Sequence, residues 1–119
     1  MKTIISVEDE KPLSEIICDE LSESGYKVFS ANSGKECMEL LKTITPDLVI
    51  LDIKLPDTSG LQILQEIRRK SATLPIIMCS AYDSFKADYE VWSSKIADYI
   101  VKPIDLDDLK NKVKIILGE

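Results

Sequence analysis

Apolar and polar positions along this chain alternate between two patterns. Short runs with few polar interruptions read as strands: "TIISV" (Thr3–Val7), "KVFSA" (Lys27–Ala31), "DLVILD" (Asp47–Asp52), "PIIMCS" (Pro75–Ser80) and "DYIVK" (Asp98–Lys102). The first, third and fourth are almost continuously apolar, as expected of parallel strands covered on both faces. Between the runs, apolar residues recur at helical spacing. Leu13, Ile16, Ile17 and Leu21 form one stripe, with Pro12 placed for a first helical turn. Cys37, Leu40, Leu41 and Ile44 form a second, opened by a capping box of Ser33 and Glu36. Leu61, Leu64 and Ile67 form a third, with Ser59 and Gln62 as a further box. Phe85, Tyr89, Trp92 and Ile96 mark a fourth, and Leu106, Leu109, Val113 and Ile116 a fifth. Gly25, Pro46 and Pro75 punctuate the joins.

Strict alternation of strand and helix implies right-handed crossovers with helices on both faces of one parallel sheet. The expected fold is a doubly wound (βα)5 sandwich of the α/β class, flavodoxin-like, with strand order 2-1-3-4-5. The 119 residues suit one domain spanning 1–119, whereas a TIM barrel needs about twice that length. No internal repeat, linker or low-complexity segment interrupts the pattern.

Composition narrows the chemistry. A net charge of −6 argues against direct nucleic-acid binding by this segment. No apolar run approaches the ~20 residues needed to cross a bilayer, and the N-terminal run is too short for a secretory signal. A cytoplasmic location with no membrane contact is therefore expected. Cys18, Cys37 and Cys79 have no metal-binding spacing and an odd count, and read as small apolar residues in a reducing compartment. Histidine is absent, which excludes Ser/His and Cys/His catalysis and leaves carboxylates, hydroxyls and lysines.

Ligands of an open parallel sheet bind beyond the carboxyl ends of its strands. There the first strand runs into Glu8, Asp9 and Glu10, the third ends in Asp52, the fourth in Ser80, and the fifth in Lys102 followed by Pro103. The predicted strand order gathers these ends on one rim, with Asp52 in the middle. Clustered like charges repel; a hard divalent cation such as Mg²⁺, which prefers oxygen ligands, makes such a cluster tolerable. Asp9 and Asp52 are the expected direct ligands, with the Lys54 backbone carbonyl, and Glu8 acts through water. Lys102 adds a fixed positive charge and Ser80 a hydroxyl. Metal, ammonium and hydroxyl are the parts that stabilise a phosphoryl group passing onto an aspartate oxygen.

Across essentially its whole length the chain resembles a response-regulator receiver domain of two-component signalling. The segments that carry the resemblance are "VEDE", "LVILDIKLPDTSGLQIL", "CSAYD" and "ADYIVKPID". It implies that Asp52 is the phosphoacceptor and Glu8 and Asp9 the acidic pair, with Asp-Asp the commoner form of that pair. It implies that Ser80 is the switch hydroxyl, Ala81 the small neighbour that leaves room for the phosphoryl group, and Tyr99 the switch aromatic. Lys102 would contact the phosphoryl oxygens, aimed by a cis Pro103, and Gly60 would sit in the turn after Pro56. Lys54 and Tyr82 occupy positions that tune phosphoryl lifetime in similar proteins, and here imply slow self-dephosphorylation.

The implied donor is a sensor histidine kinase or phosphotransfer protein. Phosphorylation would switch the face made by the fourth predicted helix, fifth strand and fifth predicted helix, for an effector or a homodimer. On this reading the chain is a signalling switch and no metabolic enzyme. A stand-alone regulator and a receiver cut from a longer protein both fit. One rival is a pseudo-receiver, the same fold used as a binding module without phosphorylation. A phosphohydrolase would carry a second acid two residues after its nucleophile, where Lys54 stands. A flavin protein would need a phosphate-cradling loop where "EDE" would repel the phosphate.

Overall fold

The computed structural model describes residues 1–81 and 93–118. Their order is β1 (Thr3–Val7), α1 (Lys11–Glu23), β2 (Lys27–Ala31), α2 (Gly34–Thr43), β3 (Leu48–Asp52), α3 (Gly60–Lys70), β4 (Ile76–Ser80), β5 (Asp98–Val101) and α4 (Leu106–Leu117). All strand pairs are parallel, as the alternation predicts, and the sheet order is β2-β1-β3-β4-β5, as expected of the flavodoxin-like arrangement. Phe85, Tyr89 and Trp92 of the fourth predicted helix lie outside the described residues, as does Tyr82; the expected switch face falls there in part. Ile96, the last of that stripe, is buried.

Period-two alternation along the strands divides the core into two layers. Ile5, Val7, Val49, Leu51, Ile76, Met78 and Tyr99 pack with Cys37 of α2 and Ile63, Leu64 and Ile67 of α3. Ile4, Leu48, Ile50, Ile77, Cys79 and Ile100 pack with Ile17 and Leu21 of α1 and Leu109 and Val113 of α4. Both faces of β3 and β4 are therefore dry, which is why those runs are apolar at nearly every position.

Two helix faces differ from the sequence expectation. On α1, Ile16 is 47% exposed while Ser14 is buried. The buried set is Ser14, Ile17 and Leu21, and the short Ser14 side chain lets α1 lie close to the sheet. On α3, Ile63 is buried and Leu61 only half-buried. The expected capping box on α2 is partly formed: Glu36 N–H donates to Ser33 Oγ at 3.1 Å, but the Glu36 carboxylate accepts from the Ser33 hydroxyl instead of its N–H. At α3, Ser59 Oγ accepts from Leu61 N–H at 3.1 Å, whereas the Gln62 amide oxygen accepts from Thr58 Oγ1 and closes no box.

Candidate functional site

The sheet order puts the carboxyl ends of β1, β3, β4 and β5 side by side, and the residues that follow them meet in a cleft. Its volume is about 260 Å³ and it is lined by Asp9, Glu10, Asp52, Lys54, Ala81 and Lys102. Carboxylate oxygens of Glu8, Asp9 and Asp52 lie within 4.8 Å of one another. Asp9 is exposed, while Glu8 and Asp52 are buried. Asp9 does not cap α1; the N-cap is Glu10, which makes no side-chain cap bond.

Lys102 Nζ reaches into this cluster, 2.7 Å from Glu8 Oε1 and 2.9 Å from Asp52 Oδ2, with Glu10 Oε1 farther off at 3.7 Å. Burial works against the Lys102 ammonium, but hydrogen bonds to Glu8 and Asp52 and the charges behind them outweigh it and raise its pKa. Burial raises the Glu8 carboxyl, against the lowering effect of its bonds to Lys102 and to the Glu10 N–H. One ammonium stands among several carboxylates, so the cluster carries an excess of acidic groups that a divalent cation would balance. An all-oxygen donor set beside an open cleft fits Mg²⁺.

Neighbouring backbone shapes the cleft. Lys54 N–H points to Asp52 Oδ1 at 3.3 Å, and Lys102 N–H donates to the Ser80 carbonyl at 2.8 Å. The Lys102–Pro103 peptide is cis. Ser80 is buried at the end of β4, and Tyr99 is buried in the α2–α3 layer. Gly60 is the first residue of α3, pressed against the end of β3: a Cβ there would stand 2.0 Å from the Asp52 carbonyl oxygen. Below the rim, burial pushes the Cys79 thiol up to about 12 and Cys37 up to about 11, as befits inert core residues. Cys18 is half-buried.

Several participants carried no local sequence signal. Asn32 Nδ2 donates to the Glu8 carbonyl at 2.9 Å and fixes the start of the acidic segment. Asp57 binds the first two N–H groups of α2. Both contacts join residues more than twenty positions apart, so only the folded chain reveals them.

Comparison with known proteins gives a concordant picture. The profile described as "Response regulator receiver domain" matches residues 4–114. The regulatory protein AtoC of Escherichia coli (strain K12) is 31% identical over 106 residues, which cover 89% of this chain and 23% of AtoC. The chain thus spans about a quarter of that relative's length. The response regulator TrrA of Thermotoga maritima, solved in complex with Mg²⁺-BeF, superposes with a TM-score of 0.90 at 39% identity, covering 98% of this chain and 100% of TrrA. TrrA in its complex with the histidine kinase ThkA gives a TM-score of 0.88 at 39% identity, covering 98% and 99%.

Proposed function

The chain belongs to the response regulator receiver domain family, and from that premise we propose that it is a Mg²⁺-dependent phosphoacceptor switch charged by a histidine kinase at Asp52. The observation that carries this reading is the contact of Lys102 with Asp52, 2.9 Å, inside a carboxylate cluster that opens on the rim cleft. TrrA, the relative at 39% identity, is seen both with Mg²⁺-BeF and with a histidine kinase.

Asp9, Asp52 and the Lys54 carbonyl would hold the metal, with Glu8 acting through water. Bound there, the ion would neutralise negative charge on the phosphoryl oxygens. Asp52 attacks the phosphorus of the kinase phosphohistidine; the new O–P bond forms as the N–P bond breaks and the electron pair leaves with the imidazole. Lys102 faces the incoming phosphoryl oxygens from a position set by Glu8. Ala81 keeps the cleft wall low. Ser80 and Tyr99 then shift together and bias the β5 side of the domain toward an effector or a second copy. Lys54 and Tyr82 slow hydrolysis of the acyl phosphate.

Incubation with acetyl phosphate and Mg²⁺ tests the assignment by mass spectrometry. One added phosphoryl group, base-labile, absent without Mg²⁺ and absent in Asp52→Ala, is expected. An unmodified protein, or an adduct that survives Asp52→Ala, overturns it.

A further inference from the structure

The loop between β3 and α3 (residues 53–59) is held at two places. At its base Lys54 and Ser59 form an antiparallel bridge, and Gly60 N–H donates to the Ile53 carbonyl at 2.6 Å. At its tip Asp57 places Oδ1 on Gly34 N–H and Oδ2 on Lys35 N–H, each at 2.9 Å. The first four N–H groups of a helix have no partner within it. On α2 Gly34 and Lys35 are satisfied by Asp57 and Glu36 by Ser33 Oγ, and the first intrahelical bond follows, from Cys37 N–H to the Ser33 carbonyl.

The contact is close as well as polar. A Cβ on Gly34 would lie 2.4 Å from Thr58 Cγ2, so α2 and the loop tip are packed against each other. The two N–H donors, aided by the positive end of the helix, lower the Asp57 carboxyl. A carboxylate on the helix N-terminus needs only one anchored oxygen to act as a cap. Asp57 uses both, which fixes the direction of the loop.

We propose that Asp57 is a positioning residue for the metal and phosphoryl site, clamping the loop to α2 so that Lys54, which lines the cleft, is held where its carbonyl can serve the metal. This rests on the metal site assigned above. Residues that orient metal ligands typically change affinity by about 10- to 100-fold when removed. Ser33 supplies the discriminating control, because its side chain caps the same helix end through hydrogen bonds to Glu36 and none of those bonds goes to the loop.

Calorimetric titration of Mg²⁺ into wild type, Asp57→Ala, Asp57→Asn and Ser33→Ala at pH 7, with thermal melts in parallel, tests the clamp. Both truncations lower Tm. Asp57→Ala is expected to raise the Mg²⁺ Kd about tenfold, Asp57→Asn less because one acceptor remains, and Ser33→Ala within twofold. Should Asp57→Ala fail to fold, Asp57→Asn against Ser33→Ala carries the decision. Asp57 and Ser33 variants that lose Tm alike while keeping the wild-type Kd overturn the clamp alone. A wild type that takes up no Mg²⁺ overturns the site assignment and the clamp with it.

Discussion

Lys102 crosses the end of β4 to reach Asp52. Its Nζ, carried beyond β5, donates to Asp52 Oδ2 at 2.9 Å, although β4 lies between the two strands. Two strand spacings amount to about 10 Å, so the lysine reaches across the end of β4, whose following residue, Ala81, lines the same cleft. The same ammonium binds Glu8 at 2.7 Å, and so joins β1, β3 and β5 across the rim.

That joint predicts the behaviour of Lys102→Met. Removing the ammonium leaves Glu8 and Asp52 buried and repelling, a change that costs about 3 kcal/mol for a buried pair. The Lys102 pKa is raised, so its contribution is full below the ordinary lysine value of 10.5 and is lost only as pH climbs through the higher folded value. Urea unfolding in EDTA should therefore show the full deficit at pH 9 and a smaller one toward pH 5, where Glu8, without the lysine that lowers its carboxyl, takes up a proton and relieves the repulsion. Added Mg²⁺ should restore part of it.

Glu8 predicts a dependence on acid pH. Burial raises its carboxyl above the usual 4.5, so the folded protein holds that proton more tightly than the unfolded chain. The contribution is full below 4.5 and fades as pH rises through the folded value. In EDTA, the Tm difference between wild type and Glu8→Gln should move in favour of wild type from pH 7 down to pH 4.5. A difference that stays flat across that range contradicts the assignment.

Gly60→Ala should damage both stability and chemistry. The added Cβ would meet the Asp52 carbonyl, which is backbone and has no rotamer to turn aside. Overpacking of this kind costs about 2 kcal/mol. The displaced segment carries the proposed phosphoacceptor, so phosphorylation by acetyl phosphate should slow as the urea midpoint falls. A full-rate variant at wild-type stability would contradict the packing.

Ser6→Ala should stabilise. The Ser6 hydroxyl, near the end of β1, is fully buried and has no hydrogen-bond partner among the described residues. An unsatisfied buried hydroxyl costs about 1 kcal/mol or more. Removing it is expected to add about 1 kcal/mol to the urea unfolding free energy, with phosphorylation unchanged. A loss of stability would mean that the oxygen fills space that matters more than its polarity.

Much of this was legible in the chain. β1 and β2 lie where the apolar runs placed them, and β3, β4 and β5 differ by one residue at one end. The flanking residues still bond to the sheet, since Asp47 N–H donates to the Thr3 carbonyl at 2.7 Å, the Pro75 carbonyl accepts from Val49 N–H at 3.0 Å and Lys102 N–H donates to the Ser80 carbonyl at 2.8 Å, so the ends differ only in where regular pairing stops. Leu21, Leu64, Ile67, Leu109 and Val113 were identified as core by helical spacing. Ile16 was not predictable that way, since a stripe four residues wide does not say which edge faces the sheet.

The sequence by itself determined the order of the described strands and helices, and that order, together with the flavodoxin-like strand arrangement it suits, gathers Glu8, Asp9, Asp52 and Lys102 on one rim. Periodicity is a local property and suffices for the elements; crossover handedness narrows the strand orders open to them. Only the tertiary structure decided that Lys102 bridges Glu8 and Asp52, that Asp57 caps a helix 23 positions earlier, and that Gly60 must lack a side chain. Those are contacts between segments distant in sequence, set by how closely two backbones approach, and no local pattern of residues encodes a distance.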